Sequence, residues 1–254
     1  MKLAICSPTL TEPYPEMRAA VEAAIPDLDA AGIEHQMVWE VGCPYISHAR
    51  ATMLRKALDW SADTIVFIDH DLSFDPEDLR LLAQAEGDVV AGTYRYKTPD
   101  ESYMGALLEG PDGQPVVRDD GCIRAHSVPA GFLKITASGV DRFMRAYPEL
   151  VFGPAWRPSI DIFNHGVHDR VWYGEDMAFC RRWRDLGGEI YIVPNLNLTH
   201  HARDGSAYPG NYTDFLTRQP GGWREGKPTW ADQLAQEAAA RAFQGADPLT
   251  KSAA

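Results

Sequence analysis

Two carboxylates one residue apart, at Asp69-His70-Asp71, form the pattern in this 254-residue chain best suited to hold a hard divalent cation such as Mg²⁺ or Mn²⁺. The spacing alone is weak, since about one D-x-D arises by chance in a chain of this size. Asp27-Leu28-Asp29 has the same form, but it falls near the end of an amphipathic helical pattern, where solvated surface carboxylates are the ordinary explanation. What distinguishes Asp69 and Asp71 is position: they follow Thr64-Ile65-Val66-Phe67-Ile68, apolar at nearly every residue, as for a strand covered on both faces. In an open α/β sheet, ligands bind beyond the carboxyl ends of such strands.

Three further segments carry reactive groups. Ser47-His48-Ala49-Arg50 places Arg50, with His48 near it, in the first turn of a helix, where the dipole disfavours a cation unless an anion is close. Arg50 is therefore a candidate for a diphosphate or nucleotide contact through its planar fork, with a surface salt bridge as the alternative. Gly174-Glu175-Asp176 opens another helix, so both acids lie near unsatisfied N–H groups. Helix capping explains them adequately; the chemical alternative makes Asp176 a general base or a clamp for a hydroxyl. In Leu198-Thr199-His200-His201, a neutral imidazole of His200, or of His201 in its place, would complete the shell begun by Asp69 and Asp71.

The elements that must position these groups follow from periodicity. Leu3 to Cys6 reads as a strand, Glu16 to Ala31 as a helix stopped by Gly32, His35 to Val41 as a second strand, and Ser47 as the cap of a second helix. After the strand ending at Ile68, Asp75-Pro76-Glu77-Asp78 opens a helix, and Asp88 to Tyr94 is a fourth strand. The first hundred residues thus alternate β and α, which implies a Rossmann-like, mostly parallel half. Ile123 to Thr136 contains further strands, Ser138 caps a helix, and Phe152 to Val171 reads as a long loop. Glu175 to Leu186 is a helix, Glu189 to Val193 a strand, and the chain beyond Gly205 is loop-rich until an alanine-rich helix over Thr229 to Phe243. That last helix offers a face to the body or to a second copy of the chain.

Composition narrows the class. A formal charge of −12 disfavours broad attraction to nucleic acid or anionic membrane. Cys6, Cys43, Cys122 and Cys180 lack C-x-x-C spacing and read as reduced thiols. The early Ser7-Pro8-Thr9 interrupts any signal-like apolar segment, and nowhere do about 18 apolar residues run together. A soluble cytoplasmic protein is expected.

Taken in order, Ser7-Pro8-Thr9, Asp69-His70-Asp71, Pro129-Ala130-Gly131-Phe132, Gly174-Glu175-Asp176 and His200 resemble the motifs of glycosyltransferases of the glycosyltransferase-A fold. The likeness is greatest to the inverting family 2 type and to phage and bacterial relatives of the lysyl hydroxylase glycosyltransferase domain. It covers residues 1 to about 205. It implies an α/β catalytic domain with a nucleotide-binding half over 1–100 and an acceptor half with a mixed sheet over 101–205, with 206–254 packed on the same domain. It further implies a nucleotide-sugar donor, UDP-linked, with base and ribose near Pro8 and Thr9 and the diphosphate near Arg50, Asp69 and His70. The sugar would lie near Ala130 and Gly131, and Mn²⁺ or Mg²⁺ on Asp69, Asp71 and His200. Glu175 and Asp176 would supply the catalytic carboxylates, with inversion. The acceptor, whether glycan, protein or modified nucleobase, is left open. A nucleotidyltransferase making sugar nucleotides would share the metal and the α/β half, but it normally needs a glycine-rich basic loop that Ser7 to Glu12 does not provide. A noncatalytic nucleotide-sugar binding protein is the other alternative.

Overall fold

The apolar run Thr64–Ile68 is buried at every position and forms β3, the strand around which the molecule is layered. A computed structural model of the protein describes residues 1–111 and 113–218. β1 (Lys2–Thr9) lies between β2 (Glu34–Val41) and β3, parallel to both. The connection β1 to β2 is α1 (Pro15–Ala30), and the connection β2 to β3 is α2 (Ile46–Asp59). Pro15 starts α1 where no N–H partner is needed. Gly32, at φ 66°, ends it in the left-handed region, and Pro26 leaves it a single helix.

After β3 come β4 (Leu72–Phe74), α3 (Asp78–Gln84) and β5 (Val89–Ala91). The second half supplies β6 (Ala106–Leu107), β7 (Ile123–Ser127), β8 (Phe132–Thr136), α4 (Ala137–Ala146), β9 (Val151–Phe152), β10 (Ser159–Ile160), β11 (Gly166–His168) and β12 (Val171–Tyr173). α5 (Glu175–Asp185), β13 (Ile190–Ile192), β14 (Asn197–His201), β15 (Ala207–Asn211) and α6 (Tyr212–Thr217) complete the described chain.

The central sheet has eight strands in the order β2-β1-β3-β8-β5-β13-β7-β6. β8 enters antiparallel between β3 and β5, so the two halves of the chain share one sheet. The period of two in each strand divides the core. Ala4, Cys6, Ile65 and Phe67 face α2, α4 and α5, with Leu54, Phe143, Phe179 and Trp183. Leu3, Ile5, Val66 and Ile68 face α1 and α3, with Met17, Leu28 and Leu79. The expected α/β class with a mixed sheet is present. A separate sheet, β15-β14-β4, crosses the carboxyl end of β3 and carries His200 into place.

Several local expectations shift. Tyr45 rather than Ser47 sits at the cap of α2, which puts Arg50 in the second turn. Thr136 rather than Ser138 caps α4: β8 runs straight into the helix, and the Thr136 hydroxyl accepts the Gly139 N–H at 3.0 Å. α3 begins at Asp78, because that carboxylate turns back to accept the backbone N–H of Asp75 and of Asn197. The fourth strand contracts to three residues, and the expected long loop holds two short hairpins, β9–β10 and β11–β12. Beyond Gly205 the chain pairs as β15 with β14 before entering α6, where a loop was expected. The helix read over Thr229 to Phe243 lies outside the described residues. All four cysteines are free, and among the described residues no helix is long and apolar enough to cross a membrane.

His126 on β7 is buried, and that burial, with Arg184 nearby, lowers its imidazole pKa from 6.5 to about 4. A folded-state value below the unfolded one contributes stability that is complete above about pH 6.5 and lost as pH falls through about 4. Acidification over this window should cost roughly 2 to 3 kcal/mol through this group. His126→Gln should flatten the same window in urea unfolding followed against pH.

Candidate active site

Asp69 leaves the end of β3 with its N–H bonded to the Gly131 carbonyl at 2.8 Å, which fixes the backbone from which its carboxylate projects. One oxygen, Oδ1, accepts from Arg50 Nη2 at 2.9 Å, and the other, Oδ2, from the Tyr94 hydroxyl at 3.4 Å. Arg50 is 2% exposed, and its second fork nitrogen donates to Glu175 Oε1 at 3.1 Å. Its face lies over Phe163, 5.0 Å from the ring centre. Burial works against the charge on Arg50, but Asp69 and Glu175 outweigh it and raise its pKa. The fork that the sequence offered to a diphosphate is thus engaged by two carboxylates. It clamps β3 to the start of α5.

Gly131 is as small as its place demands. A Cβ there would collide with the Tyr94 hydroxyl and the Asp69 carboxylate. Ala130 beside it is buried, so this turn backs the aspartate. His70 points elsewhere: its carbonyl accepts the Tyr14 N–H at 2.9 Å, and its ring lies 5.7 Å from that of Tyr14. Pro8 and Thr9 stand at the carboxyl end of β1, both buried.

Asp71 is the less exposed of the two carboxylates and meets different partners. Lys97, from the segment after β5, forms an ion pair with its Oδ2, and His200 Nε2 lies 3.6 Å from the same oxygen. Burial would raise the Asp71 pKa, but His200 and Lys97 hold it well below the usual carboxylate range. The other ring nitrogen of His200, Nδ1, lies 2.8 Å from the Arg95 carbonyl, which can only accept. Nδ1 therefore carries a hydrogen, and Nε2 is the ring nitrogen that faces Asp71. A backbone carbonyl that fixes the tautomer in this way is the usual support of a metal-binding imidazole. His201, the substitute, is instead 2.7 Å from the Ser73 hydroxyl.

The donor set of Asp71 and His200 fits a divalent cation in chemistry. It does not form a ready cage: among the described residues no three His, Cys, Asp or Glu side chains converge as a metal site. Asp69 is turned to Arg50 and Tyr94, and Lys97 supplies the positive charge at Asp71.

Asp176 lies in the first turn of α5, where Oδ1 accepts its neighbour's N–H, from Met177, at 2.7 Å. Burial foremost, then the adjacent Glu175, raises its pKa. A carboxylate destabilised in this way binds a proton more readily, which suits a general base. Asp27 of the control pair is taken by Arg80 at 2.6 Å, a surface contact without a site around it.

In the sequence, Tyr94-Arg95-Tyr96-Lys97 reads only as a charged segment after the fourth strand, equally well a solvated strand end. Their signal was their order, an aromatic residue closing the apolar run Val89 to Ala91 with a lysine three residues on. Arg50→Met would leave Asp69 and Glu175 facing each other without their cation. A loss of about 2 kcal/mol in unfolding free energy is expected, below the ~3–5 kcal/mol of fully buried pairs because both acids are partly solvated.

No family model and no curated protein matches this chain. Solved structures do. A Drosophila β-1,4-galactosyltransferase 7 variant in complex with manganese, UDP-Gal and xylobiose is 14% identical, over 86% of this chain and 79% of that one, with a TM-score of 0.44. GalNAc-T7 with UDP, GalNAc and Mn²⁺ is 9% identical over 79% of this chain, which spans only 43% of that protein, with a TM-score of 0.48. An inositol-1-phosphate CTP transferase from T. maritima is 10% identical, over 77% of this chain and 88% of that one, with a TM-score of 0.38.

Proposed function

We propose that the protein is a glycosyltransferase that moves a sugar from a UDP-linked donor to an acceptor hydroxyl with inversion. The reading is carried by one juxtaposition. Asp71 and His200 meet at the carboxyl end of the sheet, and Asp176, its pKa raised by burial, belongs to the helix that Arg50 ties to Asp69.

Asp71 and His200 would hold Mn²⁺ or Mg²⁺, with Lys97 moved aside and Asp69 as the neighbouring carboxylate. When bound, such a cation neutralises charge on the departing diphosphate. Pro8 and Thr9 take the base and ribose side of the donor, and the turn at Ala130 and Gly131 takes the sugar side. Asp176 accepts the proton of the acceptor hydroxyl as that oxygen bonds to the anomeric carbon. The bond from that carbon to the diphosphate oxygen breaks, and its electron pair leaves with UDP. Glu175 acts through Arg50 and holds the start of α5 in place. The nucleotidyltransferase alternative is separated by incubation with a sugar phosphate and a nucleoside triphosphate, which releases pyrophosphate only in that case.

One observation favours a variant of this reading. Lys97 already sits on Asp71, so its ammonium could serve the diphosphate without a metal. UDP binding would then be equal with and without Mn²⁺ and would fail in Lys97→Ala.

Asp71→Asn should remove the Mn²⁺-dependent part of UDP binding, weakening it about tenfold or more in calorimetry. Equal affinity with and without Mn²⁺ in wild type and variant defeats the metal assignment. Asp176→Asn should lower transfer by about 10²–10⁴ while leaving UDP affinity within about twofold. Unchanged transfer removes Asp176 from the chemistry.

A further inference from the structure

The groups discussed so far gather at the carboxyl ends of β3 and β5. At the opposite end of the same sheet, a cavity of about 640 Å³ opens where Gly87 and Asp88 lead into β5 and Gly188 and Glu189 lead into β13. In a chain of net charge −12 it is lined by four arginines, Arg118, Arg124, Arg142 and Arg184. They arrive from different elements. Arg118 precedes β7, Arg124 lies on it, Arg142 is on α4, and Arg184 is in the last turn of α5.

Their hydrogen-bonding capacity is only partly used. Arg118 gives Nε and Nη2 to Asp120, at 2.8 and 2.6 Å, and Nη2 also reaches the Glu86 carbonyl. Arg124 gives Nη2 to Glu189 at 2.7 Å, while its buried Nε has no hydrogen-bond partner. Arg142 donates Nη2 to the Leu186 carbonyl at 2.6 Å. The Arg184 side chain makes no hydrogen bond or salt bridge to any described residue, and its Nε is likewise buried without a partner. Buried N–H groups left unpaired are costly, and charged ones more so.

The acids of the cavity do not answer this surplus. Of its three acids, Asp88 is engaged by the hydroxyls of Thr136 and Ser138 and Glu189 by Arg124 and the Tyr191 hydroxyl, while Glu86 is exposed and meets Arg118 through its carbonyl. Nor is an aromatic face left open for a flat ligand. Arg118 lies 4.2 Å from the centre of the Tyr191 ring, and Arg142 lies 5.0 Å from that of Trp183. What the cavity has left over is guanidinium donors without acceptors, contributed by several elements, which suits the several oxygens of a phosphate group better than one planar carboxylate.

We infer that this cavity is a second binding site, for a small anion bearing phosphate groups, separate from the Asp69–Asp71 site and independent of its assignment. Inorganic pyrophosphate is the probe, titrated calorimetrically with a chelator present and with Lys97→Ala carried by every protein compared, the otherwise wild-type one included, so that neither a metal nor Lys97 binds it at the other site. Wild type and Asp71→Asn should bind it equally, and Arg184→Gln should bind it about tenfold more weakly. Arg184 holds no other element in place, so the variant should melt as wild type does without pyrophosphate and show a smaller rise in Tm with it. The inference is overturned if wild type does not bind, if Arg184→Gln binds as tightly as wild type, or if Asp71→Asn loses the binding.

Discussion

A guanidinium withdrawn from water is stable only where its charge and its donors are answered, and Arg50 is answered by Asp69 and Glu175 from two different parts of the chain. Much of the site depends on this contact. It ties α2, which carries the arginine, to the end of β3 and to the start of α5. With Oδ1 committed to Arg50, the other oxygen of Asp69 meets Tyr94, and Gly131 must lack a side chain for the two to approach. The interaction holds three elements at the rim of the sheet in one arrangement, at the expense of one carboxylate's freedom to bind anything else.

That expense explains a division of labour within Asp69-His70-Asp71. Asp69 is held by Arg50 and Tyr94. Asp71 faces the junction of the main sheet with β14, where the groups near it come from elements that the clamp does not touch. Lys97 follows β5, and His200 arrives on β14 with its tautomer set by the Arg95 carbonyl.

The sheet also separates two electrostatic environments. Acids gather where the parallel strands end, and arginines gather where β5 and β13 begin. α5 spans the distance between them, with Glu175 and Asp176 in its first turn and Arg182 and Arg184 in its last, which is the order that complements its dipole. The charge order of one helix therefore matches the polarity of the sheet on which it packs.

What the sequence determined by itself was local. The buried run of β3, the helix stops, the α/β alternation, the placing of Asp69 and Asp71 just beyond a strand end and that of Asp176 in the first turn of a helix all follow from periodicity and capping chemistry, which act over a few residues. Tertiary structure decided what those residues face. The insertion of β8 between β3 and β5, the choice of His200 over His201 at Asp71, and the engagement of Arg50 by carboxylates 19 and 125 residues away depend on strand order and register. A short stretch of sequence fixes which groups a turn can offer. Only the packed sheet fixes which distant charge each group meets, because pairing energy depends on burial and distance rather than on separation along the chain.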